Sequence, residues 1–97
     1  MNYIFPTYEG KRIVITNRVV DKELMELGLD LWDVKEILEI GFDCSEGRRR
    51  IEIEEKCIRT GKKVIKVVVE KSEVEEEDVW KLRHVGIFAW KKYRFRT

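Results

Sequence analysis

The apolar residues of this 97-residue chain change their spacing midway, and that change limits the folds open to it. Between residues 18 and 41 they recur at the three- and four-residue intervals of amphipathic helices. From residue 49 to residue 71 they alternate with polar residues, as they do in half-buried β-strands. Helices grouped ahead of strands are typical of α+β domains.

Two short helices are predicted, each bounded by residues that start and end helices. Asn17 can cap the first helix, and Gly28 suits the left-handed position that follows the last turn. Asp30 at the start of the second helix, with Asp33 three residues later, has the pattern of a capping box. Gly41 then closes that helix.

A β-hairpin is predicted after the helices. Residues 49–58 and 63–71 alternate on either side of Gly61, which makes the turn. The segment 72–78 is acidic and poor in apolar side chains, so it is expected to be a connector. Near the start of the chain, the β-branched run 12–16 suits a strand or a lead-in to the first helix.

Residues 79–88 favour a strand over a helix, because β-branched and aromatic residues dominate them and Gly86 would interrupt a helix. If side chains alternate strictly along this strand, one face carries four of them: Trp80, Leu82, His84 and Phe88. Arg83 would then lie on the opposite face from His84. The expected fold is α+β, with two short N-terminal helices packed on one face of an antiparallel sheet of three to four strands.

Length and composition predict a single domain over residues 1–97. No apolar run approaches the roughly 18 to 20 residues that span a bilayer. Residues 1–12 lack the basic segment and the apolar core of a signal peptide, so we expect a cytoplasmic protein without a membrane partner. The absence of glutamine, together with abundant lysine and glutamate, is typical of hyperthermophile proteins.

Cysteine and histidine are scarce in this chain. Cys44 and Cys57 are the only cysteines and His84 is the only histidine, which leaves too few ligands for a structural zinc site. Buried free thiols are favoured over a disulfide, and no metal or cofactor is expected. Glycine-rich phosphate loops and the common hydrolase motifs are absent from the sequence.

Charge is segregated along the chain although the net charge is only +1. The last nineteen residues hold six Lys/Arg, one His, five aromatic residues and no acid, whereas residues 21–46 carry a balance of −7. Bases interleaved with aromatic rings suit a nucleic acid, because cations pair with phosphates and rings stack on bases. An ordinary solvated surface would give the same pattern.

Candidate nucleic-acid-binding residues come from the two positive segments: Arg48, Arg49, Arg50, Lys81, Lys91, Lys92 and Arg94. Arginine binds phosphate through two parallel hydrogen bonds, but an arginine run equally suits a charged strand edge that discourages pairing between sheets. Histidine ordinarily titrates near neutrality, so acid–base chemistry would use His84. A lone histidine on an apolar face is more often a hydrogen-bonded core or rim residue.

The order of elements and several local motifs resemble the RelE/ParE-like toxin superfamily. The matching segments are TNRVVDKELMELG at residues 16–28, LWDVKEILEIG at 31–41, the arginine-rich strand at 48–53 and VWKLRHVG at 79–86. Relatives commonly have a histidine near the start of the first helix, where this chain has Arg18.

That resemblance implies a metal-independent endoribonuclease of a toxin–antitoxin pair. In RelE-type enzymes, basic residues and a tyrosine position mRNA and stabilise the attack of a 2′-hydroxyl on phosphate. By location, Arg50 and Arg83 would bind phosphate here, and His84 or Tyr93 would transfer the proton. The alternative is a non-catalytic interaction module whose acidic helices or basic sheet dock a protein, either an antitoxin-like partner or a second copy.

Overall fold

The computed structural model describes residues 5–44 and 51–89, which form two helices and six strands. In chain order these are β1 (Thr7–Tyr8), β2 (Lys11–Val14), α1 (Arg18–Glu26), α2 (Leu31–Ile40), β3 (Phe42–Asp43), β4 (Ile53–Thr60), β5 (Lys63–Val74) and β6 (Glu77–Ala89). The strands make one sheet in the order β1-β2-β6-β5-β4-β3. Neighbouring strands are antiparallel except β2 and β6, which are parallel.

The expected antiparallel sheet of three to four strands is therefore wrong in strand number and in strand direction. The extra strands β1 and β3 have two residues each, too few to show an alternating pattern. β1 turns into β2 through Glu9 and Gly10, both at positive φ, as two-residue hairpin loops require. β2 then pairs in parallel with β6, a strand more than 60 residues later in the sequence. The residues next to β2 give no indication of this pairing.

Local capping forms both helices as predicted. Asn17 Oδ1 accepts a hydrogen bond from the Val19 amide at 2.7 Å, and Gly28 follows α1 at a φ of +70°. At α2 the Asp30 carboxylate accepts from the amides of Trp32 and Asp33, and the Asp33 carboxylate accepts from the Asp30 amide, which completes the capping box. Among the described residues, no helix is long and apolar enough to cross a membrane.

Both helices cover one face of the sheet and bury a single main core. Its buried members are Ile13, Val20, Leu24, Val34, Ile37, Leu38, Val67, Val69, Trp80, Leu82 and Val85. α1 packs against β6, while α2 packs mainly against β4 and β1. Trp80 is the largest fully buried side chain of this core, and its indole N–H donates to the Tyr8 carbonyl at 2.9 Å.

The two cysteines form a disulfide, so the expectation of free thiols is wrong. β3 pairs with β4 immediately after α2, which brings the α-carbons of Cys44 and Cys57 to 5.9 Å, within the range that a disulfide spans. With Val64 the two cysteines form a small second core. Gly41 permits this approach, because a β-carbon there would lie 2.7 Å from the Cys57 carbonyl oxygen.

Segment 72–78 is not a connector, which corrects the prediction. β5 and β6 continue through it and meet at a two-residue turn, Glu75 and Glu76, which the pairing of Val74 with Glu77 closes. Both turn residues have positive φ, 50° and 66°. The sequence did not indicate this hairpin, because its acidic residues are uncommon in strands and unfavourable at positive φ.

Replacing Glu75 by asparagine and Glu76 by glycine should stabilise the protein. Asparagine and glycine adopt positive φ at lower cost than glutamate, so we expect the free energy of unfolding to rise by about 1 to 2 kcal/mol. Chemical denaturation measures the change. The double variant E75Q/E76Q removes the same charges without the backbone preference, and an equal gain there would attribute the effect to charge.

Candidate phosphate-binding site

A β-bulge in β6 sets the direction of the side chains after Leu82. Leu82 pairs with Val69 and His84 pairs with Val68, so Arg83 is an extra residue between two ladder positions. Directly paired residues share a face, and Val68 lies on the face opposite Val69 and the main core. His84 therefore leaves the strand on the face away from the core, as Arg83 does, and its ring reaches α1 past the edge of β6 that β2 leaves unpaired after Lys81.

This geometry corrects the predicted alternation. Val85, not His84, continues the buried row that begins with Trp80 and Leu82. The sequence placed Arg83 and His84 on opposite faces, and the bulge removes that separation. Bulges often re-aim side chains next to functional sites, so the residues around this bulge form the candidate functional site.

A surface depression of about 210 Å³ lies beside the bulge. Its lining comes from the start of α1 and from β6: Thr16, Asn17, Val20, Lys81, Leu82 and Arg83. β2 stops pairing with β6 at Lys81, and the chain then crosses to α1, so the depression lies at the carboxyl end of β2. The first turn of a helix carries a partial positive charge, which adds to the two basic side chains.

Lys81 and Arg83 give this depression its positive charge. No other described residue forms a hydrogen bond or ion pair with the Lys81 ammonium. One guanidinium nitrogen of Arg83, Nη1, lies 3.2 Å from Glu70 Oε1, and the arginine side chain is 53% exposed. Arginine has five N–H donors, so this one contact leaves room for an anion with two acceptor oxygens.

His84 lies next to the depression and beside a carboxylate. Its Nδ1 is 3.5 Å from Glu23 Oε1 of α1, and the histidine side chain is 44% exposed. Its Nε2 lies over Gly86, where a β-carbon would be at 2.9 Å from that nitrogen and 3.2 Å from the Phe88 ring. Gly86 therefore makes room for the imidazole, and Glu23 faces the opposite ring nitrogen.

Sequence reasoning identified Lys81, Arg83 and His84, which the structure brings together, but it missed Glu23 and Gly86. His84, Gly86 and Phe88 occupy every second position of one strand and so share a face. That spacing could have indicated that Gly86 makes room for the imidazole. The approach of Glu23 depends on how α1 packs and has no local pattern. The other candidates lie outside the described residues: Arg48, Arg49, Arg50, Lys91, Lys92, Tyr93 and Arg94.

Comparison with known proteins adds no assignment. No protein-family model matches the sequence, and no curated protein or solved structure matches it. Within residues 5–44 and 51–89, no group of three His, Cys, Asp or Glu side chains could hold a metal ion. The resemblance to RelE/ParE-like toxins stays a prediction, and function is inferred from the side chains around the bulge.

Proposed function

We propose that this protein binds single-stranded RNA through a phosphodiester held at the depression beside the bulge, and that it is a RelE-like endoribonuclease that needs no metal. The observation that carries the proposal is the bulge, which leaves Arg83 and His84 on one face next to Lys81. A lysine without a counterion among the described residues and an exposed arginine fork are suited to a phosphate.

Cleavage would follow from the chemistry of these groups. The 2′-hydroxyl oxygen attacks the neighbouring phosphorus, the bond from phosphorus to the 5′-oxygen breaks, and one proton leaves the hydroxyl while another reaches the leaving oxygen. Lys81 and Arg83 would stabilise the charge that develops on the phosphate oxygens. His84 would transfer a proton, with Glu23 at its other nitrogen holding the ring. Tyr93 is the second candidate for proton transfer.

A cytoplasmic location is part of the same proposal, as is an antitoxin-like protein partner. Disulfides are uncommon in cytoplasmic proteins except in hyperthermophiles, where they are frequent. The disulfide of Cys44 and Cys57 and the abundance of lysine and glutamate agree with such an origin.

RNA binding gives the first test. A labelled single-stranded oligonucleotide should bind the wild-type protein, and R83A should weaken binding by about 10- to 150-fold, since hydrogen bonds to charged groups contribute about 1.5 to 3 kcal/mol. R59A is the matched control, because Arg59 lies on β4 and lines no part of the depression. Binding that does not weaken as salt rises would favour the protein-interaction module over RNA.

Cleavage in EDTA gives the second test. The wild-type protein should cut the oligonucleotide, and the H84A/Y93F double variant should lose that activity while keeping RNA affinity. Undiminished cleavage by the double variant would remove both residues from proton transfer. E23Q should slow cleavage without abolishing it, because it weakens the contact that holds His84 Nδ1 but leaves the imidazole in place.

A further inference from the structure

Asn17 belongs to two features at once, since it caps α1 and lines the depression beside the bulge. Its Oδ1 accepts a hydrogen bond from the Val19 amide at 2.7 Å, which is the usual contact of an N-cap side chain. That contact uses only the oxygen end of the carboxamide. The nitrogen end, Nδ2, carries two further N–H donors.

The cap fixes the direction in which Nδ2 points. A backbone N–H donates only to an acceptor, so the atom that faces Val19 is the oxygen, and Nδ2 lies on the side of the carboxamide turned away from that amide. Asn17 is exposed, and Nδ2 donates no hydrogen bond to another described residue. The side chain therefore presents an uncharged double donor that is already oriented before a ligand arrives.

The depression is rich in donors and poor in acceptors. Lys81 and Arg83 contribute N–H donors from β6, and Asn17 contributes them from the start of α1. Among the described residues that line it, none is acidic, and the Thr16 hydroxyl is the one side-chain acceptor that the cap does not occupy. Such a lining suits a negatively charged group made only of acceptor atoms, as the non-bridging oxygens of a phosphodiester are.

We infer that Asn17 Nδ2 donates a hydrogen bond to a non-bridging oxygen of the phosphodiester held by Lys81 and Arg83, an inference that rests on the function proposed above. The basic side chains reach the phosphate from β6 and supply the charge. Asn17 reaches it from α1 and fixes its orientation without adding charge. Contacts to phosphate carry no base information, so Asn17 acts equally on RNA of any sequence.

Substitutions that keep the cap and remove the amide separate the two roles of Asn17. Serine caps a helix about as well as asparagine does, and glycine is only slightly weaker. N17S and N17G therefore keep α1 and the charge of the depression, and both lack Nδ2. Glycine also excludes a contact from the serine hydroxyl. D30S is the matched control, because Asp30 caps α2 and lines no part of the depression.

The test is the binding of labelled single-stranded oligoadenylate and oligouridylate to the full chain, with circular dichroism to check that each variant stays folded. N17S and N17G should each weaken the binding of both oligonucleotides by about 10-fold, the lower range for a hydrogen bond to a charged group. Their salt dependence should stay that of the wild type, because an uncharged donor releases no counterion. K81A, in contrast, should lower the slope of log affinity against log salt by about 0.7. D30S should not weaken binding.

The other results contradict different claims. Wild-type affinity in both N17S and N17G, with RNA bound, overturns the role of Asn17 and leaves the proposed function intact. A loss for one oligonucleotide only overturns the phosphate contact. An equal loss in D30S overturns it as well, because the effect would then come from capping. No RNA binding by the folded wild-type protein overturns the proposed function itself. Equal losses for both oligonucleotides at an unchanged salt slope support the contact.

Discussion

Replacement of Trp80 by alanine should lower the free energy of unfolding by about 3 to 5 kcal/mol, the usual cost of removing a large aromatic side chain from a core. Trp80 is completely buried, and its ring centre lies 5.6 Å from that of Tyr8. Its N–H donates to the Tyr8 carbonyl, so the side chain also fastens β1 to the centre of the sheet. Urea denaturation followed by circular dichroism measures the loss.

Trp32 supplies the matched control. It is 47% exposed at the start of α2, so W32A should cost only about 1 kcal/mol, clearly less than W80A. W80F keeps most of the ring but removes the N–H donor. It should cost about 1 to 3 kcal/mol, because the hydrogen bond from the indole to the Tyr8 carbonyl is lost and the smaller ring leaves a gap in the core. Equal losses in W80A and W32A would show that Trp80 is not in the core.

Removal of the disulfide should be the second large effect. The bond closes a loop with a sequence separation of 13, and cross-links of that size restrict the unfolded chain by about 3 kcal/mol. The double variant C44A/C57A should therefore lose about 3 kcal/mol of unfolding free energy. The wild-type protein unfolded and refolded in reductant should lose a similar amount.

Thiol counting checks the bond directly. The denatured wild-type protein should show no reactive thiol before reduction and two after it, since the chain has only two cysteines. Two reactive thiols before reduction would contradict the disulfide. In that event C44A/C57A should cost only the packing of two small buried side chains.

Features set by neighbouring residues were predictable from sequence. The Asn17 cap and the Asp30–Asp33 capping box need only residues within four positions of each other, and both are confirmed. The β4–β5 hairpin is confirmed as well, because alternation extends over long strands on both sides of Gly61. Each of these features depends on local hydrogen bonding or on a repeated pattern.

Features set by distant residues were not predictable. β1 and β3 gain their partners only when the sheet assembles, and the parallel pairing of β2 with β6 depends on the whole topology. In the candidate site, the composition of β6 indicated Lys81, Arg83 and His84. The bulge that gathers them adds one residue to the strand, and nothing in the local sequence marks its position.

The parallel pairing of β2 with β6 also has a consequence for the order of folding. Tyr8 and Trp80 are 72 residues apart, so the first strands obtain their central partner only after Trp80 has been synthesised. Until then α1 and α2 have no complete sheet to cover, and Ile13 stays exposed to solvent. Sheets joined by such distant contacts fold slowly, in about milliseconds to seconds, so release of β6 from the ribosome should trigger the folding of this protein.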